Sequence, residues 1–169
     1  MDGFGLYANT LRLKFSAKSL LRKVQCTVEG ILKHCDGRCC KGDAFWPSKA
    51  SAKHDSTGLR ICHYLEATGC SLPQDEKPIT CRLYPLVINS NNTVIVHFRA
   101  PSFCKGNIGE GEPLIDSMRG CLVSIFGQQT YDIIRNGVQH GVDVYVDVPN
   151  EIREQLAKEA GQEKNMVIP

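Results

Sequence analysis

The chain has 169 residues with 42% hydrophobic and 22% charged content, which suits one globular domain able to bury a core without disulfide support. A formal net charge of +2 makes no electrostatic case for nucleic acid or an anionic membrane. No apolar run approaches the ~20 residues of a membrane helix, and Met1–Leu6 has an early acid but no apolar stretch of signal-peptide type, so the expected compartment is the cytosol.

Residues 1–14 mix Gly, aromatic and basic positions and receive no assignment. From Ser16 to about Leu32, apolar residues recur as Leu20, Leu21, Val24, Val28, Ile31 and Leu32, a helical period whose polar face carries Lys18, Arg22, Lys23 and Lys33. Residues 41–60 are rich in Lys, Ser, Ala, Asp and Gly and read as a surface loop, with Trp46 expected to anchor it. Residues 73–78, bounded by prolines, form a further connection. Leu86-Val87-Ile88 and Val94-Ile95-Val96 flank Asn89-Ser90-Asn91-Asn92, which predicts a hairpin because Asn tolerates left-handed turn positions.

The glycine-rich stretch 105–113 reads as a connection, with Gly109-x-Gly111 a lead-in turn to a helix. A phosphate loop is disfavoured there because no Lys-Ser/Thr follows and no strand immediately precedes. Pro113 then introduces a helical stripe of Leu114, Met118, Cys121, Leu122 and Ile125. A second helix is expected from Gln128 to Asn136, stopped by Gly137. Val142–Val148 alternates strictly and predicts a strand with one valine face buried, leaving Asp143 and Asp147 on the solvent side. Asn150 is placed to cap a last helix through about Ala160. The expected architecture is α+β: a single domain over residues 1–160, with a hairpin, one further strand, several helices and cysteine-rich loops, followed by a flexible tail at 161–169.

The cysteines carry the chemistry. Eight of nine fall between Cys35 and Cys121, and Cys39 and Cys40 are adjacent. A disulfide framework is disfavoured by the odd count, the expected reducing compartment and the strain of a vicinal bridge. Buried inert thiols suit Cys26 and Cys121, which sit in apolar helical patterns. Cys35, Cys39, Cys40, Cys70 and Cys81 instead sit beside Gly, Asp, Lys or Arg. Thiolates gathered around tight glycine turns fit zinc or an iron–sulfur cluster. A metal held by a full set of thiolates carries a net charge of roughly −2, costly to bury without donors and cations. Arg38, Lys41, Lys77, Arg82 and Lys105 lie within a few residues of the cysteines, with Gly37, Gly42, Gly69 and Gly106 among them.

The ordered segments Cys35–Cys40 (Cys-x-Gly-x-Cys-Cys), Cys62-His63-Tyr64-Leu65, Gly69-Cys70, Lys77–Pro85 (Lys-Pro-x-x-Cys-Arg-x-Tyr-Pro) and Cys104–Gly111 make the chain resemble the YkgJ-like cysteine-cluster proteins over residues 35–111. The resemblance implies a zinc- or iron-chelating domain whose ligands here are Cys35, Cys39, Cys40, Cys62, Cys70, Cys81 and Cys104. Cys35, Cys39, Cys40 and Cys81 form the core of that set. Larger relatives resembling it, the flagellin lysine methylases, look like cluster-bearing enzymes acting on protein side chains. Two departures stand out: Leu32 occupies the place of the family's first cysteine, and the Cys35–Cys39 gap is one residue longer than usual. Seven family-type cysteines exceed one tetrahedral site and fall one short of two. Either some are spare, or Cys26, Cys121, His34 or His63 completes a second site. Many cysteines and few histidines favour iron–sulfur over zinc.

Three functions fit: an enzyme modifying a protein or small molecule, a metal-handling module, or a structural zinc protein that binds a partner. Arg82 and Lys105 are the expected cofactor-side cations, either neutralising thiolates or holding an anionic substrate group. Cys39-Cys40 as a redox or nucleophilic pair would require depressed thiol pKa values.

Overall fold

The computed structural model describes residues 11–24, 52–54, 56–58, 60–67, 69–97 and 108–164. The fold is α+β. Its centre is a four-stranded mixed sheet made of β1 (Leu11–Phe15), β7 (Leu86–Ile88), β8 (Thr93–Val96) and β10 (Val144–Val148), in the order β10-β1-β8-β7. β1 pairs antiparallel with β10, from Leu11↔Val148 to Phe15↔Val144, and parallel with β8. The hairpin is as expected: β7 and β8 pair with Leu86 opposite Val96. Asn89 closes its turn, the carboxamide oxygen accepting from Asn91 N at 2.9 Å and Thr93 N at 3.0 Å, while Asn92 takes a left-handed φ of 53°.

The sheet gains β1 from the stretch that received no assignment. Leu11, Leu13 and Phe15 alternate with Arg12 and Lys14, so one face of the strand is apolar. Leu13 and Phe15 are fully buried beneath helices that cover that face. Phe15 meets Phe126 edge-on at 5.3 Å, and each such ring contributes roughly 1.5–3 kcal/mol by leaving water. On the opposite face Lys14 pairs with Asp143 at 2.9 Å and Arg12 with Asp147 at 3.7 Å. The two aspartates therefore face cations of the neighbouring strand.

Several boundaries differ from the periodicity. Of the helix expected from Ser16 to Leu32, the described part to Val24 contains one helical turn, α1 (Ala17–Leu20), capped by the Ser16 hydroxyl, and 25–32 lie outside the described residues. Lys23 and Val24 then form β2, paired with β9 (Ile108–Pro113) across a bulge. Strand pairing thus overrides the helical period, and the stretch expected to be a connection becomes a strand. Within the expected surface loop, β3 (Ala52–His54) and β4 (Arg60–Cys62) pair antiparallel around the Thr57-Gly58 turn, where Gly58 has φ 82°. β5 (Leu65–Glu66) and β6 (Gly69–Cys70) form another small hairpin. The stripe beginning at Leu114 splits at Met118 into α3 (Leu114–Ser117) and α4 (Arg119–Phe126), preceded by α2 (Ile79–Leu83) earlier in the chain.

α5 (Gln128–Gln139) runs through Gly137. A Cβ there would collide with the Val144 side chain, so this glycine serves the close approach of α5 to β10 and does not stop the helix. The turn comes at Gly141, with φ 74°. The last helix, α6 (Asn150–Lys164), continues past Ala160 into the stretch expected to be loose. Its Glu159 is buried against α2.

Candidate functional site

α2 carries Cys81 and Arg82, and its short sequence explains how it is seated. Ile79 and Leu83 are buried one turn apart, while Thr80 and Cys81 are exposed. Pro78 stands at the N-cap in extended conformation and supplies no side-chain cap. The orphan amides are satisfied from α6 instead. Glu159 accepts from Ile79 N at 2.9 Å through one carboxylate oxygen, and from Thr80 N at 3.2 Å and Thr80 Oγ1 at 3.1 Å through the other. Gln155 steadies the carboxylate at 3.2 Å. A negative group at a helix N-terminus also suits the local dipole.

Arg82 points inward against α4 and is only 8% exposed. Its Nη1 donates to Ser124 Oγ at 3.4 Å, and its buried Nε has no acceptor among the described residues. Ser124 donates in turn to the Cys121 carbonyl at 2.9 Å. Among the described residues no ion pair neutralises this guanidinium. A buried cation without a counter-charge costs several kcal/mol.

Cys121, on α4 at the same contact, is half-buried rather than sealed in the core. Gln74 Nε2 donates to its Sγ at 2.9 Å, and Lys77 Nζ holds the Gln74 carbonyl oxygen at 3.2 Å. Burial pushes the Cys121 thiol up, against the opposing pull of Lys77, Arg82 and the Gln74 amide. Cys121 packs against the hydrophobic core, as expected of an inert thiol, but it is half-buried and receives the Gln74 amide.

Cys62 ends β4 opposite Ala52, and Cys70 lies in β6 opposite Leu65. Both are partly buried, and Cys81 is exposed. Lys53 Nζ donates to the Leu65 carbonyl at 3.3 Å, tying the two small hairpins together. His63 is exposed and edge-on to Tyr64 at 5.4 Å. Cys26, His34, Cys35, Cys39, Cys40, Trp46, Cys104 and Lys105 lie outside the described residues. Among the described residues no three His, Cys, Asp or Glu side chains converge on one point. The described residues do place the Gln74 amide against the Cys121 sulfur and a buried guanidinium one position past Cys81.

Gln74 and Glu159 are the contributors that residue spacing missed. Gln74 sits in an unpatterned connection, and Glu159 acts on amides 80 positions away. Comparison with protein families, curated proteins and solved structures finds no match for this chain. No described helix is long and apolar enough to cross a membrane.

Proposed function

We propose that this is a YkgJ-like cysteine-cluster protein of the cytosol that holds an iron–sulfur cluster or zinc. Its ligands come from Cys35, Cys39, Cys40, Cys62, Cys70, Cys81 and Cys104. The observation that carries the reading is Arg82: a buried guanidinium next in sequence to the ligand candidate Cys81, with no acceptor for its Nε and no paired carboxylate among the described residues. Thiolates around a metal are the negative charge such a cation requires. The number of cysteines favours iron–sulfur.

The burial of Arg82 supports its role as the cation that neutralises thiolates, since a substrate group cannot reach a covered Nε. Lys105 is assigned to the same task. When bound, the metal supplies either electron transfer, as a cluster, or loop cross-linking, as zinc. The chain's own residues hold the thiolates in place. Glu159 seats the helix that bears Cys81, and Gln74 and Lys77 supply donors around it. This division of labour favours a metal-holding module over an enzyme that grips substrate with Arg82.

The test is elemental analysis and absorbance of anaerobically purified protein, with Cys81→Ser alongside. Stoichiometric iron or zinc, diminished in the variant together with a lower Tm, is expected. A folded wild type containing no metal and intact disulfides would falsify the reading.

A further inference from the structure

The central sheet ends in β7 on one side and β10 on the other, and the two edges are built differently. β7 spans three residues directly after Pro85, a short edge that gives another strand little to pair with. β10 spans five residues, Val144–Val148, with no proline and an unbroken register to β1. Among the described residues no strand pairs along its outer side.

The hydrogen bonds of the sheet fix what that side presents. Lys14 N donates to Asn92 O at 2.9 Å and Ser16 N to Val94 O at 3.3 Å, so the backbone groups of these β1 positions face β8. Leu13 and Phe15 then face β10, where Val146 and Val144 stand opposite them. Backbone direction alternates along a strand, which turns the N–H and C=O of Tyr145 and Asp147 to the open side. A row of such groups is a template for a further strand. The border is also apolar. Among the described residues four large hydrophobic side chains are exposed, and three belong here. They are Tyr145, Val142 just ahead of β10, and Ile133, one turn before the Gly137 at which α5 meets Val144.

We infer that the open side of β10 is an interface with a second copy of this chain, paired antiparallel about Val146 so that two sheets become one. The strand is complementary to itself in that register. Tyr145 stands opposite Asp147 of the partner subunit, and the Tyr145 ring lies under the cations of Arg12 at 5.8 Å and Lys14 at 6.0 Å, so the incoming carboxylate meets a positive border. Pairing about Tyr145 would set Asp143 against the partner's Asp147, and pairing about Asp147 would set that residue against its own copy. Like charges directly opposite are destabilising, so both slipped registers are disfavoured. On the helix-covered face Val146 meets its own copy, and Val144 meets Val148 of the partner subunit. Pro149 ends the pairing, since it has no N–H and its carbonyl already accepts from Ile152 N at 3.1 Å. The interface is isologous, the same patch serving both copies, and it does not depend on the metal reading.

Sedimentation equilibrium of the full chain, with reductant present to exclude intermolecular disulfides, tests it. The wild type is expected to follow a concentration-dependent monomer–dimer equilibrium. Tyr145→Asp sets carboxylates opposite each other at both symmetry-related pairs and should weaken the dimer roughly tenfold. Adding Asp147→Lys to that variant should restore it. Asp147→Pro removes an outward N–H and should leave only monomer. A wild type that is monomeric at every concentration, or a dimer indifferent to Tyr145→Asp, overturns the inference. Hydrogen exchange of the wild type decides without any variant: the Tyr145 and Asp147 amides should gain protection as concentration rises. Protection at every concentration in a monomer would assign the edge to another segment of this chain. No protection at any concentration would leave it to a different protein. Either result overturns the pairing of two copies.

Discussion

Replacing Glu159 with Ala should loosen the helix that carries Cys81 more than any single cysteine substitution loosens the core. The carboxylate accepts from Ile79 N, Thr80 N and Thr80 Oγ1. Pro78 supplies no substitute cap. Losing a helix cap costs about 1 kcal/mol, and leaving the amide of the fully buried Ile79 unsatisfied costs about 2 kcal/mol more. The sum of about 3 kcal/mol corresponds to a fall in Tm of roughly 6–12 °C for a chain of this length. Glu159→Gln keeps the shape and one acceptor oxygen, so it should cost only about 1 kcal/mol. Thermal and urea unfolding followed by circular dichroism, at matched metal content, measures both. The reasoning fails if Glu159→Ala lies within about 0.5 kcal/mol of wild type, the usual range of inert surface changes. It fails equally if Gln is as damaging as Ala, because the loss would then not arise from the hydrogen bonds.

Gly137→Ala should destabilise by about 1–3 kcal/mol, despite the better helix propensity of Ala, because the new methyl meets Val144; urea midpoints at constant m-value report it, and a stabilised variant refutes the close approach. Arg82→Met should change sign with metal: the metal-free protein gains about 1–3 kcal/mol by shedding an uncompensated buried charge, while the loaded protein loses metal more readily to chelator. Unchanged stability and unchanged metal retention would together remove Arg82 from the site. The Lys14–Asp143 pair should add stability across a bounded pH range. Asp143 is held below its ordinary 3.8 by hydrogen bonds from Lys14 and the Ala17 amide, so its contribution is present above that value and is lost as pH falls through the lower folded one. Lys14 is held above its ordinary 10.5 by its hydrogen bond to Asp143, so its contribution is present below that value and lost as pH rises through the higher folded one. Asp143→Asn should flatten both limbs in pH-dependent unfolding, and limbs unchanged from wild type would assign them to other groups.

The α+β class, the hairpin and the valine strand were readable because each rests on a local period or a turn residue. The same logic could have found β1, since Leu11-Arg12-Leu13-Lys14-Phe15 alternates as cleanly as the valine strand; its glycine- and aromatic-rich surroundings obscured it. β2 was beyond a local reading. Leu20, Leu21 and Val24 keep a helical spacing, and only pairing with β9 turns Lys23–Val24 into a strand. Gly137 looked like a helix stop because the need for a small residue lies in Val144, on a different element. For the site, the cysteine order named a chemistry, but the polar environment of Cys121 depends on Gln74, 47 positions away, which no spacing rule connects to it.

The placement of β1 beside β10 has a consequence for biosynthesis. Ala17 and Asp143, which share a hydrogen bond next to this pairing, are 126 positions apart. At ribosomal speeds of about 5–20 residues per second, some 6–25 s separate their emergence. Throughout that interval Leu13 and Phe15 have no β10 to pair beside, and folding waits on a contact of very long sequence separation. Every cysteine of the ordered set is translated within the same interval. On the proposed metal-binding reading, delivery during translation, rather than insertion into a finished fold, is the route this topology favours.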